Sequence, residues 1–113
     1  MELILSTEPG YTLARIVGKL DESADEAFRD RLFPLVGRPK GRLVLDLSRT
    51  ASITSLGVGL LVRLVAHANT NASRVILADC SSFVAIVLDR CKLGSYLELA
   101  PTVPDAAARF GGE

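Results

Sequence analysis

Two short and nearly unbroken apolar runs constrain this chain most: Leu43-Val44-Leu45-Asp46-Leu47 and Arg74-Val75-Ile76-Leu77-Ala78. Neither alternates apolar with polar, as a strand with one wet face does, and both are short for helices. Such runs suit strands buried on both faces, as in a parallel sheet covered by helices. Between them lies a stretch that is apolar at Val58, Leu60, Leu61, Val62, Leu64, Val65, Ala66 and Ala68. Its only polar stripe is Gly59, Arg63, His67 and Thr70. The spacing predicts a helix over about 56–69, either deeply packed or covered by a partner. Strand, helix, strand in this order requires a right-handed parallel crossover.

The rest of the chain fits around that unit. Residues 3–5 read as a short strand. Ser6-Thr7-Glu8-Pro9-Gly10 reads as a turn, and residues 11–20 as an antiparallel partner strand. Ser23-Ala24-Asp25-Glu26 has the form of a capping box. Ala24, Ala27, Phe28, Leu32 and Leu35 follow at helical spacing, Pro34 disrupts the last turn, and Gly37 with Pro39 ends the helix. Residues 48–54 read as a loop. Ser81 or Ser82 caps a further helix carrying Phe83, Ile86, Val87 and Cys91, with Gly94 in the C′ role. Residues 96–99 suit a final strand, and Thr102-Val103-Pro104-Asp105 opens a last helix through Phe110. The expected fold is α/β in a single domain over 1–113, ordered β-β-α-β-α-β-α-β-α. An N-terminal antiparallel hairpin precedes parallel βαβαβ crossovers in one mixed sheet, with about four helices.

Charge argues against one class of partner. The 13 basic and 13 acidic side chains balance, and aromatic residues are 5% of the chain. A nucleic-acid binder needs a basic excess or stacking platforms, so no nucleic-acid partner is expected. No apolar run approaches the roughly 20 residues that span a bilayer, and the N-terminus lacks a signal-peptide pattern. A cytoplasmic protein without membrane insertion is the expectation.

Catalytic equipment is sparse. The single histidine, His67, lies on the polar stripe of the long helix. Cys80 and Cys91 have neither the spacing nor the companions of a zinc site, and read as two buried, reduced thiols. A small cysteine/histidine enzyme is the catalytic alternative, and the apolar context of both thiols argues against it. Asp21, Asp46 and Asp79 fall at strand ends, where an Mg²⁺ site or ordinary turn chemistry would each use carboxylates. Gly57-Val58-Gly59 lacks the third glycine of a dinucleotide loop. No catalytic residue, cofactor or metal is therefore expected.

Three segments together resemble the STAS family of anti-sigma-factor antagonists. The first is Ile16-Val17-Gly18-Lys19-Leu20-Asp21, similar to a family strand ending Gly-x-Leu-Asp. The second is Leu43-Val44-Leu45-Asp46-Leu47-Ser48 followed by Ile53-Thr54-Ser55-Leu56-Gly57-Val58-Gly59-Leu60-Leu61. It is similar to the family's strand, loop and helix start, with its Asp-Ser-Ser/Thr-Gly-Leu-Gly core. The third is Val87-Leu88-Asp89-Arg90-Cys91-Lys92-Leu93-Gly94-Ser95-Tyr96, which resembles the family's third helix and the turn after it. The resemblance implies a regulatory domain that binds an anti-sigma factor or serine-kinase-like regulator, and that phosphorylation of a serine at the start of the second helix turns off. Here the residue before Gly57 is Leu56, which cannot accept phosphate, and the family's acidic position holds Thr54. Three readings follow: Ser55 or Thr54 has become the acceptor, Leu56 is an unswitched apolar anchor, or the chain resembles STAS subunits of lipid-transport ABC systems, with their ATPase as partner. The implied partner-binding residues are Asp21, Thr54, Ser55, Leu56, Gly57 and Gly59, with Ser55 as candidate phosphorylation site. Two structural roles stand beside these: Ser55 as the helix N-cap, and Leu56 as a core residue.

Overall fold

The structure, a computed structural model, describes residues 1–111. The strands are β1 (Glu2–Glu8), β2 (Tyr11–Leu20), β3 (Arg42–Asp46), β4 (Thr50–Ile53), β5 (Arg74–Ala78) and β6 (Glu98–Ala100). The helices are α1 (22–36), α2 (Ser55–Thr70), α3 (Ser82–Arg90) and α4 (Val103–Gly111). The sheet runs β1-β2-β3-β5-β6, with β4 paired to β2 off that path. β1 and β2 are antiparallel, and every other pair is parallel. The mixed α/β sheet and four helices are those the sequence predicts.

The two apolar runs form β3 and β5, side by side in parallel with Leu43 opposite Val75 and Leu45 opposite Leu77. Alternate residues face opposite sides, as the pleat requires. Leu43, Leu45, Val75 and Leu77 join the larger core with Phe28, Leu32, Leu61, Leu64 and Leu88. Val44, Ile76, Ala78 and Ala100 join a smaller core capped by Ala106 and Phe110 of α4. The guanidinium groups of Arg42 and Arg74 lie 5.7 and 5.5 Å from the Phe110 ring centroid.

Several local expectations are corrected. β1 continues through Glu8, so the reversal narrows to Pro9-Gly10, where Gly10 has φ 86°. The supposed loop 48–54 contains β4. Its small and polar residues show no alternation, and only the tertiary pairing makes it a strand. β2 changes partner at Gly18 (φ 98°): residues 12–15 pair with β3, then Gly18, Lys19 and Leu20 pair with β4. Thr50 is fully buried and donates its hydroxyl to the Ile16 carbonyl at 2.9 Å.

The capping box is replaced by Asp21, whose Oδ1 accepts from the Ser23 N–H at 3.0 Å and from the Ser23 hydroxyl. α1 is irregular. A 3₁₀ turn (Glu22–Ala24) leads through an α turn (Asp25–Ala27) to a π turn (Phe28–Leu32) and a last α turn (Phe33–Val36). Pro34 has no N–H for an α-helical bond to Asp30, and its ring crowds that carbonyl. The helix widens ahead of the proline instead of ending at it.

In α3 the buried residues are Val84 and Leu88, while Phe83 and Ile86 are 50% and 53% exposed. Its C′ residue is Lys92 (φ 57°), not Gly94. The Leu93 N–H donates to the Leu88 carbonyl at 3.1 Å and the Lys92 N–H to the Asp89 carbonyl at 2.9 Å, a Schellman closure. The final strand begins at Glu98, and Tyr96 lies in the turn before it. Among the described residues no helix is long and apolar enough to cross a membrane.

Asp46 closes β3 as a buried carboxylate. Its Oδ2 accepts from Arg15 Nε at 3.0 Å and its Oδ1 from the Ser48 N–H at 3.0 Å. Burial pushes its pKa up, but the Ser48 N–H and hydroxyl and the Arg15 guanidinium outweigh burial and hold it below the usual carboxylate value. A folded-state pKa below the unfolded one gives stability that is present above the unfolded pKa, near 4, and lost as pH falls through the lower native value. Asp46→Asn is expected to reduce stability at pH 7 by about 1–2 kcal/mol. That deficit should shrink on acidification in urea titrations run from pH 7 to 2. A deficit independent of pH would show that the carboxylate charge is not what stabilises this corner.

Candidate functional site

The candidate turn lies where β4 ends and α2 begins. The Thr54 N–H donates to the Leu20 carbonyl at 3.1 Å, which joins it to the end of β2. Asp21, the next residue of β2's chain, is thereby placed beside the helix start. Thr54 has extended backbone (φ −97°, ψ 172°), and its Oγ1 accepts from the Gly57 N–H at 3.2 Å. The N-cap is therefore Thr54, not Ser55. Ser55 is the first residue of α2, exposed, and its hydroxyl has no hydrogen-bond partner among the described residues.

Gly57 and Leu56 have opposite roles. A Cβ at Gly57 would lie 2.1 Å from the Leu20 carbonyl oxygen and 2.9 Å from the Leu20 carbonyl carbon. The first turn of α2 thus sits directly on the backbone of β2, and only glycine permits that approach. Leu56, one residue earlier, is turned outward and is 60% exposed, which removes the core reading. A Cβ at Gly59 would meet nothing within 4 Å.

Around Leu56 the surface is acidic. A hollow of about 310 Å³ is lined by Glu22, Asp25, Leu56, Leu60 and Arg63. Arg63 is already bound to Asp25 at 3.1 Å, and Arg29 reaches the same carboxylate at 2.8 Å. Asp25 is thus neutralised by two guanidinium groups, and Asp21 and Glu22 form the acidic margin to the exposed leucine. The Asp21 pKa is lowered by the Ser23 hydroxyl first and the Ser23 N–H second.

One exposed element escaped the sequence reading. Ser81 ties α3 to β4, its Oγ donating to the Thr50 carbonyl at 2.7 Å. The outward face of α3 carries Phe83 and Ile86, whose i, i+3 spacing is indistinguishable in sequence from a core stripe.

The other candidate residues do not converge. His67 lies near the C-terminal end of α2, half-buried and stacked on Phe33 at 5.3 Å between ring centroids. Cys80 follows the C-terminal end of β5, toward the opposite end of the sheet. The two thiols are not both buried: Cys80 is intermediate and Cys91 exposed. Burial, then the Asp79 carboxylate, pushes the Cys80 thiol up to about 11, so it is protonated near neutral pH. Asp21 caps α1, Asp46 pairs with Arg15, and Asp79 is exposed. Among the described residues no three His, Cys, Asp or Glu side chains gather as a metal site.

Comparison with known proteins agrees with this geometry. The family model described as the STAS domain matches residues 2–106. TM1081 of Thermotoga maritima, assigned as an anti-sigma factor antagonist, superposes with a TM-score of 0.86 at 16% identity, over 96% of this chain and 94% of that one. The unphosphorylated anti-sigma factor antagonist SpoIIAA superposes at 0.79 with 23% identity, over 99% and 98% of the two chains. A serine-to-glutamate variant of RsbS from Moorella thermoacetica superposes at 0.81 with 18% identity, over 99% and 97%. The sheet order, the sharp turn onto Gly57 and the family match lead to one conclusion: the chain belongs to the STAS domain family.

Proposed function

We propose that this chain is a non-catalytic cytoplasmic regulator of the anti-sigma-factor-antagonist type, and that it binds an anti-sigma factor through the surface around Leu56. One observation carries the reading: a large apolar side chain, 60% exposed, stands on the first turn of α2 at the position where the family's switching hydroxyl would be. Its acidic margin suits a partner pocket that is apolar within and basic at its rim. Asp21, Thr54, Ser55, Gly57 and Gly59 serve the same surface. Asp21 contributes charge, Gly57 sets the close backbone approach, and Thr54 caps the helix.

Leu56→Asp places a charge in that contact. Binding to the cognate anti-sigma factor, measured by calorimetry, is expected to weaken about 30-fold or more, as for loss of an interface anchor. The circular dichroism spectrum should be unchanged, because the side chain lies outside the core. Unaltered affinity would remove this surface from consideration. Binding of an ABC-transporter ATPase in place of any anti-sigma factor would assign the domain to the transport branch.

Residue 56 cannot carry a phosphate switch. The remaining acceptor is Ser55, since the Thr54 oxygen is engaged in the cap and the Ser55 hydroxyl is free of it. A phosphate there adds about −1.5 to −2 charge at a helix N-terminus, where the domain tolerates it, while the apolar interior of the partner pocket that takes Leu56 would have to desolvate it. Peptide mapping after incubation with the partner kinase and ATP should place any modification on Ser55. A phosphopeptide that survives Ser55→Ala would move the acceptor to Thr54.

A further inference from the structure

A second concave site lies away from the Leu56 turn, between α3 and β6. It is a cleft of about 450 Å³, within the roughly 300–1,000 Å³ range of small-molecule sites. Its wall is apolar: Ala85 and Leu88 from α3, and Leu99 and Ala100 from β6. Leu88 and Ala100 are buried, and Leu99 is 38% exposed. The Cys80 thiol completes this wall. Held up at about 11 by burial and by the neighbouring Asp79, it is a neutral surface at pH 7.

The polar equipment has a single sign. Asp89 is the charged residue of the lining, and its side chain has no hydrogen-bond or ion-pair partner among the described residues. The Asp79 carboxylate acts on the same wall through Cys80. Among the described residues no basic side chain lines the cleft. An apolar slot with an unpaired carboxylate and no cation is complementary to an apolar body with one positive end.

A peptide strand added to the β6 edge is the competing occupant, and the edge is poorly disposed for it. The Leu99 carbonyl already accepts from Arg109 Nη1 at 3.0 Å. Pro101 follows with no N–H to donate, and β6 is only three residues long. The geometry points to a small-ligand site in the α3–β6 cleft that takes an apolar primary ammonium, an alkyl or aryl group carrying one amine. It stands whether or not the Leu56 surface binds a partner.

The test titrates the full chain with n-hexylamine and benzylamine at pH 7, followed by the backbone amide spectrum. Both amines should produce saturable shifts at Ala85, Leu88, Leu99 and Ala100, and hexanoate should not. Asp89→Asn should weaken amine binding about tenfold, the loss of one charge-assisted contact, and leave n-hexanol binding unchanged. Gly94 also lines the cleft. A Cβ there meets nothing within 4 Å, and its φ is outside the left-handed region, so Gly94→Leu adds bulk at the cleft from a position that accepts a side chain. That variant should keep its melting temperature and lose at least tenfold in amine affinity.

An independent readout uses the two thiols. At pH 9, where the thiolate fraction of Cys80 is about a hundred times that at pH 7 and hexylamine is still mostly ammonium, saturating hexylamine should slow Cys80 alkylation by iodoacetamide about tenfold, in proportion to occupancy, and leave the exposed Cys91 unaffected. Equal binding of hexylamine and hexanoate, unchanged affinity in both variants, or no protection of Cys80 would each overturn the assignment. So would an extended peptide that shifts the amides of 98–100 while neither amine binds.

Discussion

Gly57→Ala is expected to destabilise the fold by about 3 kcal/mol, at the upper end for overpacking, because the new methyl meets backbone that cannot rotate away. The Leu20 carbonyl oxygen is 2.1 Å from the Cβ position, and Ile53 Cγ1 is 3.1 Å away. Relief requires α2 to lift off the end of β2, which also disturbs the Thr54-to-Leu20 hydrogen bond. Gly59, two residues later in the same helix, predicts the opposite sign. With open space around its Cβ position, Gly59→Ala should stabilise by about 0.5–1 kcal/mol through helix propensity. In thermal denaturation the first variant should melt roughly 10 °C lower and the second a few degrees higher. Similar shifts for the two variants would contradict the close approach of α2 to β2.

Phe28→Ala is expected to be the other severe change, at about 3–5 kcal/mol. Phe28 is fully buried in the π turn of α1, within the larger core. This is a large share of the roughly 5–15 kcal/mol stability of an ordinary domain. Its loss also bears on function, since α1 carries Glu22 and Asp25 to the margin of Leu56. Phe83→Ala provides the contrast. That ring is 50% exposed on α3, and its removal should change stability by about 0.5 kcal/mol or less. Urea titrations should show a lowered midpoint at unchanged slope for Phe28→Ala and almost no shift for Phe83→Ala. Comparable losses at both positions would mean that α3 does not present Phe83 to solvent.

These residue pairs mark where legibility in the sequence stops. Phe28 and Phe83 have the same chemistry and both sit in helices with apolar spacing. Periodicity identifies a helix but does not say which of two overlapping apolar stripes meets the sheet. α3 buries Val84 and Leu88, because Ser81 and β4 fix its rotation, and this leaves Phe83 and Ile86 outward. Thr50-Ala51-Ser52-Ile53 has no strand pattern. It is held by Gly18, where β2 bends and exchanges β3 for β4. The N-caps follow the same rule. Ser23 and Ser55 are plausible caps in sequence, yet Asp21 and Thr54 hold those positions, because the strand ends determine where each helix begins.

By itself the sequence determined the double-faced burial of β3 and β5, the mixed sheet, the number of helices, and the absence of a phosphate acceptor at residue 56. These follow from side-chain chemistry and period, which are local properties of the chain. Tertiary structure alone decided that Leu56 faces solvent while Gly57 presses on β2. It also decided that Thr54 and not Ser55 is the cap, that Cys80 is a protonated wall of a cleft, and that β4 exists at all. Each of these depends on which backbone lies opposite, and the pairing of β4 with the end of β2 sets the turn at Thr54-Ser55-Leu56-Gly57 in place.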